Sequence, residues 1–188
     1  MNVYVESNFV LELALLQEQQ VSCEEILRLS ESGKVHLVIP AYSIAEPYET
    51  LVRRHRQRKR MKAELDVELQ QLARTTTYAQ RLSGFQNVTT LLIDSADEEA
   101  KRLEEIRERL LKTGEVIPLE VLTLTDATQY QRVHGLSPQD AIVYAAVLSA
   151  PGKEYPLEQW ALSARRNCVC GCSFSSQATR DGAKLLLE

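Results

Sequence analysis

The stretch Val35-His-Leu-Val-Ile-Pro40 decides the fold class, because it is a near-continuous apolar run of strand length that ends at a proline. Such a run is typical of a strand in a parallel sheet whose two faces are both covered. A second strand is predicted over residues 2–6, where β-branched and aromatic residues dominate. Helical patterns separate the two strands, and this order implies a right-handed crossover. We therefore predict an α/β protein.

Helix-start and helix-stop residues divide the rest of the chain. Ser7 or Asn8 is expected to cap a helix over residues 9–19. The sequence Ser22-Cys-Glu-Glu has the spacing of a capping box and is expected to begin a second helix, which ends at Gly33. Downstream we predict helices over 43–60, 61–82, 96–113 and 120–134, and a short edge strand over 116–119.

Length and composition indicate one globular domain with a sizeable core. The chain has 188 residues, of which 44% are hydrophobic and 26% are charged, and its net charge is −4. Any contact with nucleic acid must therefore rest on a local basic patch. No apolar stretch reaches the roughly 18 to 20 residues that span a bilayer, and no basic leader precedes the first strand. We expect a cytoplasmic protein without a membrane segment.

Several motif classes are excluded or left open. The chain has 7 glycines and no glycine-rich phosphate loop, which argues against a nucleotide hydrolase or a dinucleotide enzyme. The cluster Cys168-Val-Cys-Gly-Cys172 is spaced too closely for a zinc site, so we interpret it as part of a buried strand over residues 167–174. The apolar stripe at Leu103–Leu110 is either core or a dimer face.

Three acidic residues stand in contexts that point to one place. Glu6 follows the first predicted strand, Glu46 lies early in the helix after the second, and Asp140 follows Ser137-Pro138 in the first turn of an apolar helix. Taken singly, each has an ordinary explanation, such as a solvated strand end or a partner for a helix dipole, and Glu49 competes with Glu46. The carboxyl ends of parallel strands meet at the crevice where α/β proteins bind ligands. Clustered carboxylates there need a cation, so the sequence predicts a hard divalent metal site.

The order of these motifs resembles that of the PIN-domain nucleases. Glu6-Ser-Asn-Phe-Val-Leu-Glu12 follows the first strand, Ser43-Ile-Ala-Glu46 lies early in the helix after the second, and Ser137-Pro-Gln-Asp-Ala-Ile-Val-Tyr-Ala145 comes late in the chain. The resemblance implies a three-layer α/β/α PIN-like domain with a central parallel sheet over residues 1–150. Residues 151–188 are then a diverged C-terminal segment that could complete the sheet.

The resemblance also implies an activity. PIN-domain nucleases include the toxins of toxin–antitoxin pairs, and they cut single-stranded RNA with Mg²⁺ or Mn²⁺. Carried over to this chain, the catalytic and metal-holding acids would be Glu6, Glu46 and Asp140, with Asp181 as a fourth metal acid. Ser7 and Asn8 match the small polar residues that orient the first acid. A small antitoxin partner and a homodimer are further implications of the resemblance.

Two alternatives to a nuclease stay open. The first acid of the family is usually aspartate, and Glu6 is one methylene longer, whereas octahedral Mg²⁺ tolerates misplaced oxygens poorly. Only Thr179-Arg-Asp181 is similar to the stretch that supplies the family's fourth acid. One alternative is therefore a catalytically weak or inactive PIN-like domain that binds RNA or protein. The other is a helical scaffold or regulator whose acids are ordinary caps.

The densest basic run of the chain, Arg53 to Lys62, follows Glu46 directly. A solvated helix face is the commoner meaning of such a run. Here it begins about two turns from the predicted metal site, where a phosphate backbone would lie, so we predict that it binds RNA. The proposed contacts are Arg53, Arg54, Arg56 and Lys59. Tyr42 and Tyr48 are the nearest candidates for base stacking.

Overall fold

The computed structural model describes residues 2–79, 81–82 and 85–150. Its elements follow in the order β1 (Asn2–Tyr4), α1 (Ser7–Leu15), α2 (Gln20–Glu31), β2 (His36–Pro40), α3 (Ala41–Ala73), α4 (Thr76–Ala79), α5 (Gln86–Thr113), β3 (Glu115–Ile117), α6 (Val121–His134) and α7 (Pro138–Ser149). The strands form one parallel sheet in the order β1-β2-β3. Tyr4 lies opposite Val38, and Ile117 lies opposite Pro40.

The predicted three-layer α/β/α PIN-like fold with a central parallel sheet is wrong. Helices hold 77% of the described residues, and the three strands have 3, 5 and 3 residues. The segments after β2 are rich in Glu, Gln, Arg and Leu, which are strong helix formers, and they extend α3 to 33 residues and α5 to 28. The protein is therefore mostly helical around a small sheet. The parallel pairing of the first two strands is confirmed. The diverged segment 151–188 lies outside the described residues.

Strand β2 supports hydrophobic clusters on both of its faces. Leu37 and Ile39 belong to the larger cluster, together with residues of α1, α2, α3 and α5. Val38 points the other way and joins Tyr4 and residues of α7. This alternation follows from the two-residue period of a strand. The stripe at Leu103–Leu110 lies in the larger cluster, so its residues are core.

Several helix boundaries differ from the predicted ones. Helix α1 begins at Ser7 with Glu6 at the N-cap position and no side-chain capping bond. Helix α2 begins at Gln20, so Ser22 lies inside it and the predicted capping box does not form. In its place the buried carboxylate of Glu12 accepts a hydrogen bond of 2.8 Å from the backbone N–H of Gln19. A side chain of α1 therefore accepts a hydrogen bond from the backbone at the start of α2. The local sequence motif could not reveal this contact.

Arginine–glutamate pairs join the long helices to their neighbours. Arg58 of α3 donates two hydrogen bonds, of 2.9 and 2.8 Å, to Glu99 of α5. Arg109 of α5 reaches both Glu24 and Glu31 of α2. Two parallel N–H···O bonds fix the orientation of a guanidinium as well as its distance, so these pairs set how α5 lies against α3 and α2.

Candidate functional site

The carboxyl ends of β1 and β2 lie side by side, because the N–H of Val5 donates to the carbonyl of Val38 at 3.1 Å. The chain passes from Val5 through Glu6 into α1, and from β2 directly into α3, which carries Glu46. The hydroxyl of Ser7 donates a hydrogen bond to Oε2 of Glu46 across 39 positions of sequence. The two strand ends thus bring Glu6 and Glu46 into one neighbourhood.

The polar neighbours of the two acids hold their side chains. Ser7 is only 7% exposed, and its hydroxyl is engaged by the half-buried carboxylate of Glu46. Asn8 donates from Nδ2 to Oε1 of Glu6 at 3.2 Å. A hydrogen bond to an ionised carboxylate is stronger than one between neutral groups, so Ser7 restricts the orientation of Glu46. Of the two small polar residues after Glu6, Ser7 therefore contacts Glu46 and Asn8 contacts Glu6.

Tyr42 lies in the first turn of α3, near the carboxylates of Glu46 and Glu49. Burial raises the pKa of its hydroxyl, and the negative charges of Glu46 and Glu49 raise that pKa further. Tyr42 therefore keeps its proton at neutral pH and remains a hydrogen-bond donor. The sequence suggested this residue only as a stacking candidate, since its position among the acids depends on how α3 follows β2.

Asp140 occupies the predicted place in the first turn of α7. Ser137 is the N-cap and Pro138 follows it, which confirms the predicted start of this helix. The Ser137 hydroxyl accepts the Asp140 N–H at 3.1 Å and donates to Oδ2 of Asp140 at 2.7 Å. Helix α7 contacts β2 and α3. Asp140 is therefore held by its own helix cap on an element that packs against α3, which carries Glu46, and against the strand that precedes it.

Residues 2–150, apart from the gaps at 80 and 83–84, contain no group of three His, Cys, Asp or Glu side chains placed to hold a metal ion. Asp140 does not join Glu6 and Glu46 in one such group, and Asp181 lies outside the described residues. Mg²⁺ is usually held by one or two carboxylates and several waters. Glu6 and Glu46 carry oxygen atoms of that kind, and two carboxylates with bound waters are a ligand set that Mg²⁺ or Mn²⁺ accepts. The three-acid metal site stays a prediction.

A shallow groove with a volume of about 640 Å³ runs along α3, starting within one turn of Glu46. It is lined by Tyr48, Glu49, Val52, Arg53, Arg56, Gln57 and Arg60. Two of the four predicted RNA contacts, Arg53 and Arg56, are exposed and line it. Arg60 shares their face, because residues 3 and 7 positions apart lie on one side of a helix. That spacing was visible in the sequence and could have identified Arg60.

The other two predicted RNA contacts lie outside this groove lining. Lys59 is exposed, and Arg54 is half-buried on a different side of α3 from Arg56. Arg58, which is in the same basic run, is held by Glu99. The run therefore divides among structural pairing, solvent and the groove, as expected for seven cations distributed around one helix.

Comparisons with known proteins place this chain in no family. No protein-family model, curated protein or solved structure matches it. The resemblance to the PIN-domain nucleases therefore rests on the quoted motifs and their order. Among the described helices, none combines the length and the apolar composition that a membrane span requires.

Proposed function

We propose that this protein is a metal-dependent endoribonuclease that cleaves single-stranded RNA, as its resemblance to the PIN-domain nucleases implies. The observation that carries the proposal is the hydrogen bond between Ser7 and Glu46, since it links the residue directly after Glu6 to the acid on the helix that follows the neighbouring parallel strand. The role of toxin in a toxin–antitoxin pair, with a small antitoxin protein as partner, rests on the resemblance alone.

Each residue of the site has a proposed part in this reaction. Glu6 and Glu46 would hold Mg²⁺ or Mn²⁺ through their carboxylates, and Ser7 keeps Glu46 in position. Asp140 would be the third acid, presented by α7. A cation held there would activate a water molecule and neutralise charge on the phosphoryl oxygens. Tyr42 keeps its proton and can donate a hydrogen bond beside the acids.

The groove on α3 gives the RNA backbone a place to bind. Arg53, Arg56 and Arg60 span about 10 Å along one helix face, which is enough for about two successive phosphates. The groove starts within one turn of Glu46, so a strand lying along it would reach the acids. Local counter-ion release can supply affinity in spite of the overall charge of −4.

A cleavage assay tests the proposal. Labelled single-stranded RNA is incubated with the full chain in Mn²⁺, in Mg²⁺ or in EDTA, beside the variants Glu46→Gln and Asp140→Asn. We expect cleavage that EDTA abolishes and that each variant lowers at least about 100-fold, since charge neutralisation at a metal acid removes several kcal/mol of transition-state stabilisation. The matched control is Glu25→Gln, which alters an exposed carboxylate on α2 that does not line the groove. Equal loss in Glu25→Gln would contradict the assignment to Glu46 and Asp140.

A second function is favoured by one observation, namely that no three-acid group occurs in the described part of the chain. A module that binds RNA without cutting it needs the arginine groove but no metal. In that case the same assay would show RNA retained equally well in EDTA and in Mn²⁺, with no product in either condition. If Arg56→Ala then lost its RNA binding, the groove would be identified as the site that binds the RNA.

A further inference from the structure

We propose that three aromatic rings at the junction of α6 and α7 form a stacking site for one unpaired nucleobase of RNA. The rings belong to Tyr130, His134 and Tyr144. This inference rests on the proposed function, because it takes single-stranded RNA as the ligand. The groove arginines contact phosphates, which single-stranded and double-stranded RNA share. A site for a base is therefore what would make the protein select the single strand.

The three rings form one cluster, called the ring cluster below. The rings of Tyr130 and His134 are nearly parallel, with an angle of 24° between their planes and 6.0 Å between their centroids. Tyr144 meets them edge-on, at 86° and 5.0 Å from Tyr130 and at 66° and 5.6 Å from His134. These distances are ordinary for paired aromatic side chains, so the rings fill the space between them. A cation could not enter an aromatic cage there, whereas a flat ring can extend the cluster from outside.

The burial of the rings leaves two of them accessible to a ligand. Tyr144 is only 5% exposed, and it supports the half-buried rings of Tyr130 and His134. Helix α6 ends directly after His134 at Gly135, whose φ is 64°. Chain neighbours apart, no heavy atom of the described residues lies within 4 Å of the place where a Cβ of residue 135 would stand. The two outer rings are therefore held from beneath and border open space, so a base can stack without first ordering them.

The ring cluster lies beside the third proposed acid. Asp140 precedes Tyr144 by four positions, so the two are neighbours on α7 and are about 6 Å apart along its axis. Side chains of a helix lean toward its N-terminus, which directs Tyr144 toward Asp140. Val147, seven positions after Asp140, belongs to the hydrophobic cluster on the sheet. Asp140 therefore lies between the ring cluster and the sheet side of α7, where the sugar and phosphate of a stacked nucleotide can reach it.

The chemistry of the ring cluster suits a nucleobase. Tyrosine and histidine combine an apolar ring face with a polar edge, as the bases themselves do. Every base has a face that can stack on such a ring, so the site would accept any of them. In a duplex, the bases stack on one another and their faces are occupied. The ring cluster would therefore distinguish unpaired from paired RNA without reading the sequence.

Equilibrium binding in EDTA tests the site without cleavage. An end-labelled RNA of mixed sequence, either single-stranded or annealed to its complement, is titrated with the full chain and followed by fluorescence anisotropy. Tyr130→Leu and His134→Leu are each expected to raise the Kd for the single strand at least about fivefold, because each removes part of the stacking surface. Neither should change the Kd for the duplex, whose phosphates still meet the groove.

Two further variants are matched controls. His134→Phe keeps an aromatic ring, so its Kd for the single strand should stay within about twofold of the wild-type value. Tyr78→Leu makes the same change as Tyr130→Leu at a ring on α4 that is 46% exposed, and it should leave both Kd values unchanged. Far-UV circular dichroism checks that each variant is folded. The wild-type chain provides a measurement that needs no variant, since a strand of the same length without bases should bind at least about fivefold more weakly.

The stacking site is overturned if the folded leucine variants bind the single strand as tightly as the wild-type chain, or if they weaken duplex binding equally. It is also overturned if Tyr78→Leu has the same effect as they do, or if the strand without bases binds as well as the complete one. Cleavage in Mn²⁺ is measured separately. Normal cleavage with an unchanged Kd in the leucine variants removes the stacking site alone. A wild-type chain that does not cleave, but whose leucine variants bind the single strand more weakly, removes the nuclease and supports the stacking site. A wild-type chain that binds neither form of RNA overturns both.

Discussion

Replacing Arg109 by methionine is expected to lower the free energy of unfolding by about 2 kcal/mol. The guanidinium donates to Glu24 at 2.8 and 2.9 Å and to Glu31 at 2.7 and 3.2 Å. An exposed ion pair contributes roughly 0.2–1 kcal/mol, and a buried hydrogen bond to a charged group contributes roughly 1.5–3 kcal/mol. These side chains are between 20% and 34% exposed, so about 1 kcal/mol for each carboxylate is reasonable. Methionine keeps most of the apolar stem, so the change isolates the charge.

The pH dependence of this loss has a definite sign. Hydrogen bonding to Arg109 is the largest cause of the lowered pKa of Glu24, and the charge of Arg109 and contacts with Arg28 lower it further against the opposing effect of burial. Since the folded-state pKa lies below the ordinary value of 4.5, the stabilisation is present above that value and is lost as pH falls through the folded-state pKa. The difference between the wild-type chain and Arg109→Met should therefore be full at pH 7 and should shrink below about pH 4.5.

Urea denaturation followed by far-UV circular dichroism measures both the loss and its pH dependence. The matched control is Arg28→Met, since Arg28 binds the same Glu24 at 3.2 Å but is largely exposed and lies on the same helix. Its expected cost is below about 0.5 kcal/mol. The reasoning would be refuted if Arg109→Met lowered the free energy of unfolding by less than the control does. It would also be refuted if that loss were the same at pH 7 and at about pH 3.

Two further changes probe the cap of α7 and the groove. Ser137→Ala should lower the free energy of unfolding by about 1 kcal/mol, because it removes the N-cap acceptor of the Asp140 N–H; Ser137→Asp should keep most of it, as thermal denaturation would show. Arg56→Ala should weaken the binding of single-stranded RNA and reduce the slope of log K against log salt by about 0.7. A filter-binding titration at several salt concentrations checks this, and Arg54→Ala, on another face of α3, should change the slope less.

Local chemistry predicted some elements of this protein well. The apolar run ending at Pro40 forms β2, which pairs in parallel with β1. Ser137 and Pro138 begin α7 as predicted. In both cases the deciding interactions lie within a few residues, namely the pattern of a strand and a side chain that binds its own helix start.

Other predictions failed because distant residues decided the outcome. The capping box at Ser22 does not form, since Glu12 satisfies the start of α2 from the preceding helix. The predicted layered α/β/α fold is wrong because helix-forming segments after β2 extend far beyond the small sheet. The single helix α3 replaces two predicted ones for the same reason, since nothing near Arg60 or Met61 interrupts its backbone hydrogen bonds.

The amino-acid order alone determined that β2 ends at Pro40, that α7 begins after Ser137 and which carboxylates follow the strands, because these properties depend on short-range sterics and capping. Only the tertiary structure decided that Ser7 binds Glu46 and that Arg53, Arg56 and Arg60 line one groove while Arg58 is held by Glu99. The Ser7–Glu46 contact spans 39 positions of sequence, and the contact between Arg58 and Glu99 spans 41. Such contacts form only when the packing of whole helices brings their side chains together, and no local pattern encodes that packing.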